Sequence, residues 1–123
     1  MKFHVSDAAG QNRFTGYGDG YVSVNHQRFE HSIIVAPGHE VTRWEIAGFE
    51  ALTDADFEKL LELAPEIVIL GTGQTQRFPH PRLTRALTAR SVGVEVMDTR
   101  AACRTYNILI AESRQVVAAL LLG

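Results

Sequence analysis

A single cysteine, Cys103, stands in the 123 residues, so no internal disulfide can form and nothing commits the chain to an oxidising compartment. Proline is scarce: Pro37, Pro65, Pro79 and Pro81 lie between periodic segments, and punctuate one unit instead of marking a linker. Long apolar runs are missing. The longest, Val116 to Leu122, is too short to cross a bilayer as a helix. Lysine is nearly absent, with Lys2 and Lys59 the two exceptions among 12 cations. The rest are arginines, whose forked guanidinium suits bidentate contacts with carboxylate or phosphate. Neither charge sign is in large excess: 12 Lys and Arg against 14 Asp and Glu leave a net charge of −2 and a pI near 6.2. That balance argues against nucleic acid or an anionic lipid surface as a partner. Met1 to Asp7 show neither the apolar run of a secretory signal nor the Arg-rich character of a transit peptide, so a cytoplasmic location is expected.

What is present describes an ordinary globular chain. With 46% hydrophobic and 21% charged residues it is neither disordered nor collagen-like. At this length folding removes roughly two-thirds of the unfolded chain's surface from water, enough for one core without staples. No repeat or low-complexity tract divides it, so a single domain over residues 1–123 is expected.

The first third carries strand signals at Tyr21 to Val24, Ser32 to Ala36 and Val41 to Ile46, with turn residues such as Asn25 and Gly38 between them. In the third run Thr42, Trp44 and Ile46 share one face, as a half-buried strand requires. These runs predict an antiparallel meander. The period then becomes helical: Phe57, Leu60, Leu61 and Ala64 recur at i, i+3, i+4 and i+7 after a capping-box-like start at Thr53 to Asp56, and Pro65 ends the run.

Ile67 to Leu70 is a short apolar run, Leu83, Ala86 and Leu87 form a helical stripe, and Val92 to Met97 is a second strand. Strands joined by such a crossover are parallel and right-handed, and apolar runs of this kind need cover on both faces. A further helix is expected from about Thr99 to Ile110, with Ala102, Cys103, Tyr106, Leu109 and Ile110 on its apolar stripe. Val116 to Leu122 is read as a buried closing strand, although its periodicity fits a helix as well.

Two segments could carry chemistry. Gly71-Thr72-Gly73-Gln74 follows a buried strand, where α/β proteins present backbone N–H groups to phosphate or carboxylate. Gln76 replaces the third glycine of a dinucleotide fingerprint and no Gly-Lys-Ser/Thr occurs, so the plainer reading is a sharp exit from the sheet. The second runs from Asp98 to Asn107, where Arg100 and Arg104 stand i, i+4 on the outward face and Asn107 continues it. Two like charges near the positive end of a helix call for compensation, from Asp98, Glu95 or Asp56 or from an anionic ligand. If the two strands are parallel, both segments meet at the strand carboxyl ends, where open α/β sheets bind ligands. Cys103, on the apolar stripe, reads as a buried hydrophobe despite its arginine neighbours. His4, His26, His31, His39 and His80 lack zinc spacing, no serine has a nucleophile-elbow context, and no carboxylate pair is marked for acid–base work. No metal and no cofactor is assigned. Phe14, Tyr17 and Tyr21, clustered around Gly16, Gly18 and Gly20, fit a sticky loop or the edge of the core.

In order along the chain, Phe14 to Gly20, Ser32 to Pro37, Glu66 to Gly73 and above all Gly93 to Asn107 resemble the domain of unknown function 498 family, which includes the mitochondrial complex I assembly factor 3. The resemblance implies a compact three-layer α/β fold with a mixed central sheet, and no agreed catalytic residues. It implies an accessory role through protein contacts. The function expected is therefore a non-catalytic binding or assembly-accessory domain presenting Gly71, Thr72, Gly73, Gln74, Asp98, Arg100, Arg104 and Asn107 to a protein or a small anionic ligand. The rival is a small anion- or nucleotide-binding enzyme that uses the same crevice. A third reading has both arginines locked in internal ion pairs.

Overall fold

The computed structural model describes residues 11–122; the sequence reading of Met1 to Asp7 lies outside them. The chain opens with β1 (Phe14–Gly18), β2 (Tyr21–Val24) and β3 (Gln27–Phe29), a three-stranded antiparallel sheet in the order β1-β2-β3. Asn25 and His26 take φ of 52° and 71° between β2 and β3, the paired left-handed conformations whose twist matches a two-residue hairpin. Next come β4 (Ile33–Val35), β5 (Thr42–Arg43), α1 (Asp54–Glu58), β6 (Ile67–Gly71), α2 (Arg85–Ala89), β7 (Gly93–Met97), α3 (Thr99–Ala111) and β8 (Val116–Leu120). The second sheet has the order β5-β4-β8-β6-β7. It is mixed: β6 runs parallel to β7 and β8, while β4 is antiparallel to β5 and β8.

The meander expected from the first third is divided. β2 belongs to the small sheet and is flanked there by β1 and β3, whereas β4 and β5 join the large one. The third run keeps strand geometry only at Thr42–Arg43. Trp44 then donates its N–H to Ser32 O at 2.9 Å and buries its ring among Leu52 and Phe57, while Thr42 stays exposed, so the expected Thr42, Trp44 and Ile46 face does not form. Indole burial outweighs continued alternation at this edge.

The five-stranded sheet has cover on both faces, and strand alternation sorts the side chains. Ile67 and Ile69 of β6 with Val116, Ala118 and Leu120 of β8 meet Ala102, Cys103 and Tyr106 of α3 and Phe14, Val22 and Val24 of the small sheet. Val68 and Leu70 with Val117 and Ala119 meet Phe57, Leu60 and Leu87 on the opposite side. This makes three layers of α and β structure. β8, buried along its whole length between β4 and β6, is a strand as expected.

The capping box is present: Asp56 N–H donates to Thr53 Oγ1 at 3.4 Å, and Thr53 N–H to Asp56 Oδ2 at 2.8 Å. The α-helix it starts is short, however. It tightens to a 3-10 turn over Lys59–Leu63 and stops at Ala64, whose φ of 52° lies where the residue before Pro65 escapes the right-handed helix. Likewise, the Leu83 to Leu87 stripe is half 3-10 turn, Pro81–Thr84, and half α2.

Candidate functional site

Three parallel strands end on one rim. Gly71 pairs with Met97 of β7 on one side and Leu120 of β8 on the other. A Cβ on Gly71 would lie 2.6 Å from Leu120 Cδ2 and 3.3 Å from Ala102 Cβ, so α3 packs close to the strand end because that side chain is missing. Gly71 thus sets the approach of the helix and lies beneath the rim.

The chain leaving β6 is tied into a compact loop. Thr72, itself buried, donates its N–H to Met97 O at 2.9 Å. Its hydroxyl donates to Thr75 O at 2.7 Å and accepts from Arg77 N–H at 3.1 Å. Gly73 takes φ of +94°, a conformation side chains rarely adopt. Its N–H donates to Thr99 Oγ1 at 3.1 Å, and Thr99 N–H returns to Gly73 O at 2.9 Å. The N–H groups of Thr72 and Gly73, which an anion cradle would aim outward, therefore stitch the end of β6 to β7 and α3.

α3 begins beside this loop. Asp98 is its N-cap and accepts from Ala101 N–H at 2.9 Å, which satisfies a donor at the positive end of the helix. Arg100 and Arg104 both reach the β1–β2 hairpin. Arg100 Nη2 lies 3.4 Å from Asp19 Oδ1, and Arg104 Nη1 donates to Tyr17 OH at 3.1 Å. The Tyr17 hydroxyl, and Asp98 through space, raise the Arg104 pKa still further. Their direct contacts are thus with Asp19 and Tyr17, because the hairpin folds across the outer face of α3; of the expected Asp98, Glu95 and Asp56, Asp98 acts on Arg104 through space and makes no direct ion pair.

Asn107 does not continue a ligand face. Its side-chain oxygen accepts from Phe14 N–H at 2.9 Å and its amide donates to Phe14 O at 2.8 Å, clamping β1 to α3. Tyr106 OH donates to Asn12 O at 2.9 Å, and its ring meets Phe14 edge to face. Cys103 is 1% exposed, and burial pushes its thiol pKa up to about 12. The thiol is held protonated and packs as a hydrophobe, as its place on the apolar stripe suggested.

At the rim opens a cleft of about 480 Å³. Thr72, Gly73, Gln74, Asp98 and Arg100 line it, while Gly71, Arg104 and Asn107 do not. Asp19 at the hairpin tip, Phe49 and Arg77 complete its polar and aromatic walls. Arg77 stacks with its guanidinium carbon 4.4 Å from the centre of the Phe49 ring, and its Nη1 is 3.7 Å from Glu50 Oε2. The sequence reading stopped at Gln74 and so missed Arg77. The signal was there in the nine residues between Gly71 and Pro81, none of them with a helical period. Nothing in the local sequence marks Phe49. Among the described residues no three or more His, Cys, Asp or Glu side chains gather as metal ligands would, and no helix is long and apolar enough to cross a membrane.

The family profile described as "Protein of unknown function (DUF498/DUF598)" matches residues 14–121. A mouse protein named NADH dehydrogenase (ubiquinone) 1 alpha subcomplex assembly factor 3 is 37% identical over 83 residues, which are 66% of this chain and 45% of that protein. The chain therefore spans about half the length of the curated relatives it matches. A crystal structure from Bordetella parapertussis, 46% identical, superposes with a TM-score of 0.88 over 93% of this chain and 98% of its own. A solution structure from Bordetella pertussis, described as a Mth938-like domain, is 39% identical with a TM-score of 0.82 over 99% of this chain and 92% of its own. These matches agree with the resemblance read from Phe14 to Gly20, Ser32 to Pro37, Glu66 to Gly73 and Gly93 to Asn107 and with the two-sheet α/β fold, and the chain belongs to the DUF498/DUF598 family of proteins of unknown function.

Proposed function

We propose that this chain is a non-catalytic binding or assembly-accessory protein that receives a protein partner in the cleft at the ends of β6, β7 and β8. The observation that carries this reading is the use of the rim's own polar groups. The Thr72 and Gly73 N–H groups and the Thr72 hydroxyl are spent on internal bonds that make the loop rigid, and the guanidiniums of Arg77 and Arg100 remain at its surface. Such a rim offers a preorganised contact surface. It does not offer an activated nucleophile, because the one thiol nearby is buried and protonated. Support also comes from the relatives named as assembly factors, whose naming implies protein partners. The proposal includes a cytoplasmic location, which fractionation of the host cell tests.

The rival, a small anion- or nucleotide-binding enzyme, is favoured by the presence of Arg100 in the cleft wall. It also needs the Gly73 N–H and Arg104, which are engaged with Thr99 and Tyr17. The partner reading is the better supported.

The test is capture from the native host with a tagged chain, in its original form and as Gln74→Trp, which fills the cleft. The partner is expected to be retained by the first and lost by the second at equal melting temperature. Equal capture by both overturns the reading.

A further inference from the structure

We infer that the partner inserts an acidic segment into the cleft, two of its carboxylates replacing Asp19 and Glu50 on Arg100 and Arg77; this rests on the partner reading above. The cleft lining carries two guanidiniums, Arg77 and Arg100. Neither is locked. Arg100 reaches Asp19 at 3.4 Å and Arg77 reaches Glu50 at 3.7 Å, both longer than the 2.7–2.9 Å of a strong charge-assisted bond. The two carboxylates are 85% and 90% exposed, so water and salt compete for them. Elsewhere the same molecule builds a firm pair: Arg114 Nε donates to Glu66 at 2.9 Å, and Gln115 N–H donates to the same oxygen at 3.0 Å. Among the described residues the cleft pairs have no such second donor.

The geometry leaves the arginines ready to donate. Phe49 covers one face of the Arg77 guanidinium, and a stacked guanidinium keeps its in-plane N–H fork open. Thr72 Oγ1 accepts from Arg77 N–H and fixes the backbone from which that side chain projects. Asp98 is committed to Ala101 N–H as the helix cap.

Charge selects the ligand. Asp19 and Asp98 line the same cleft and oppose any anion, so a segment that spreads its charge over two separate carboxylates is repelled less than a phosphate that concentrates two charges at one point. Phe49 and Leu121 add apolar wall, which suits a segment where acidic and aliphatic residues alternate.

The probe is a blocked peptide of alternating leucine and glutamate, with its glutamine counterpart, inorganic phosphate and succinate as comparisons. Titrations are followed by the Nε–H signals of Arg77 and Arg100 and by calorimetry. The glutamate peptide is expected to move both signals. Arg77→Ala or Arg100→Ala is expected to weaken it about tenfold, and Asp19→Asn or Glu50→Gln to strengthen it severalfold by removing the competitor. Equal binding of the glutamine peptide, tighter binding of phosphate, binding of succinate as strong as that of the peptide, or no shift at either arginine at millimolar peptide overturns the inference. Partner capture separates this from the broader reading. If Gln74→Trp abolishes capture and both arginine variants retain it, the cleft is the docking site and the acidic segment is wrong; if no variant alters capture, both fail.

Discussion

Gly73 and Thr99 hold each other in a reciprocal pair: the Gly73 N–H donates to Thr99 Oγ1 at 3.1 Å, and the Thr99 N–H donates to Gly73 O at 2.9 Å. One pair of residues therefore welds the exit of β6 to the entrance of α3 and fixes the floor of the cleft. Thr99→Val keeps the shape and removes the acceptor, leaving a Gly73 N–H without its partner. A loss of about 1–3 kcal/mol is expected. Urea denaturation should show it as a lower midpoint with an unchanged slope.

At Gly71 the constraint is steric. Gly71→Ala would press a methyl against Leu120 Cδ2 and Ala102 Cβ, and a destabilisation of about 1–3 kcal/mol is expected from overpacking. Because the tightest neighbour is the tip of a leucine, Leu120→Val in the same chain should recover part of the loss. A double-mutant cycle measures this coupling, and strict additivity would contradict the packing account.

The legibility of these features in the sequence follows from how local their causes are. Ile67–Gly71 and Val116–Leu120 are continuous apolar runs because both faces are covered, and the stripe through Ala102, Cys103 and Tyr106 marks α3 because that one face of the helix is buried. The shared rim followed from placing β6 and β7 in parallel. β3, by contrast, is three residues long and mostly exposed, so no apolar alternation announces it. β5 was overestimated because the burial of Trp44 is a tertiary effect. The cleft was only half visible: Asp19, Phe49 and Arg77 reach it from segments far apart in the chain. Asn107 shares a helical face with Arg100 and Arg104, but only the path of β1 shows that its amide is used up.

That clamp gives the next expectation. Asn107→Ala would remove both bonds to the Phe14 backbone, and with its N–H and C=O left short of partners a loss of about 1–3 kcal/mol is expected. Asn107→Asp keeps the acceptor for Phe14 N–H but sets a carboxylate oxygen against Phe14 O where the amide donated, so it should destabilise the chain as well. Hydrogen exchange localises the effect: the Phe14 amide should exchange faster in Asn107→Ala than in Asn107→Asp.

Cys103 makes the fold sensitive to alkali. Burial raises its thiol from 9.0 to about 12, and burial likewise raises the Tyr106 hydroxyl above its ordinary 10.0. Between pH 9 and 12 the unfolded chain has lost the thiol proton while the folded chain keeps it, so the unfolded state binds fewer protons. The stabilisation is therefore complete below pH 9 and falls as pH rises, approaching about 1.4 kcal/mol per unit for one proton. Tyr106 adds to the slope above pH 10. Cys103→Ala should flatten the profile between pH 9 and 10 and keep the tyrosine part above it, with urea midpoints from pH 7 to 11 as the measurement. In the original chain at pH 8 a thiol reagent should label Cys103 only as fast as the core opens, because its side chain is sealed beneath α3 against β6 and β8.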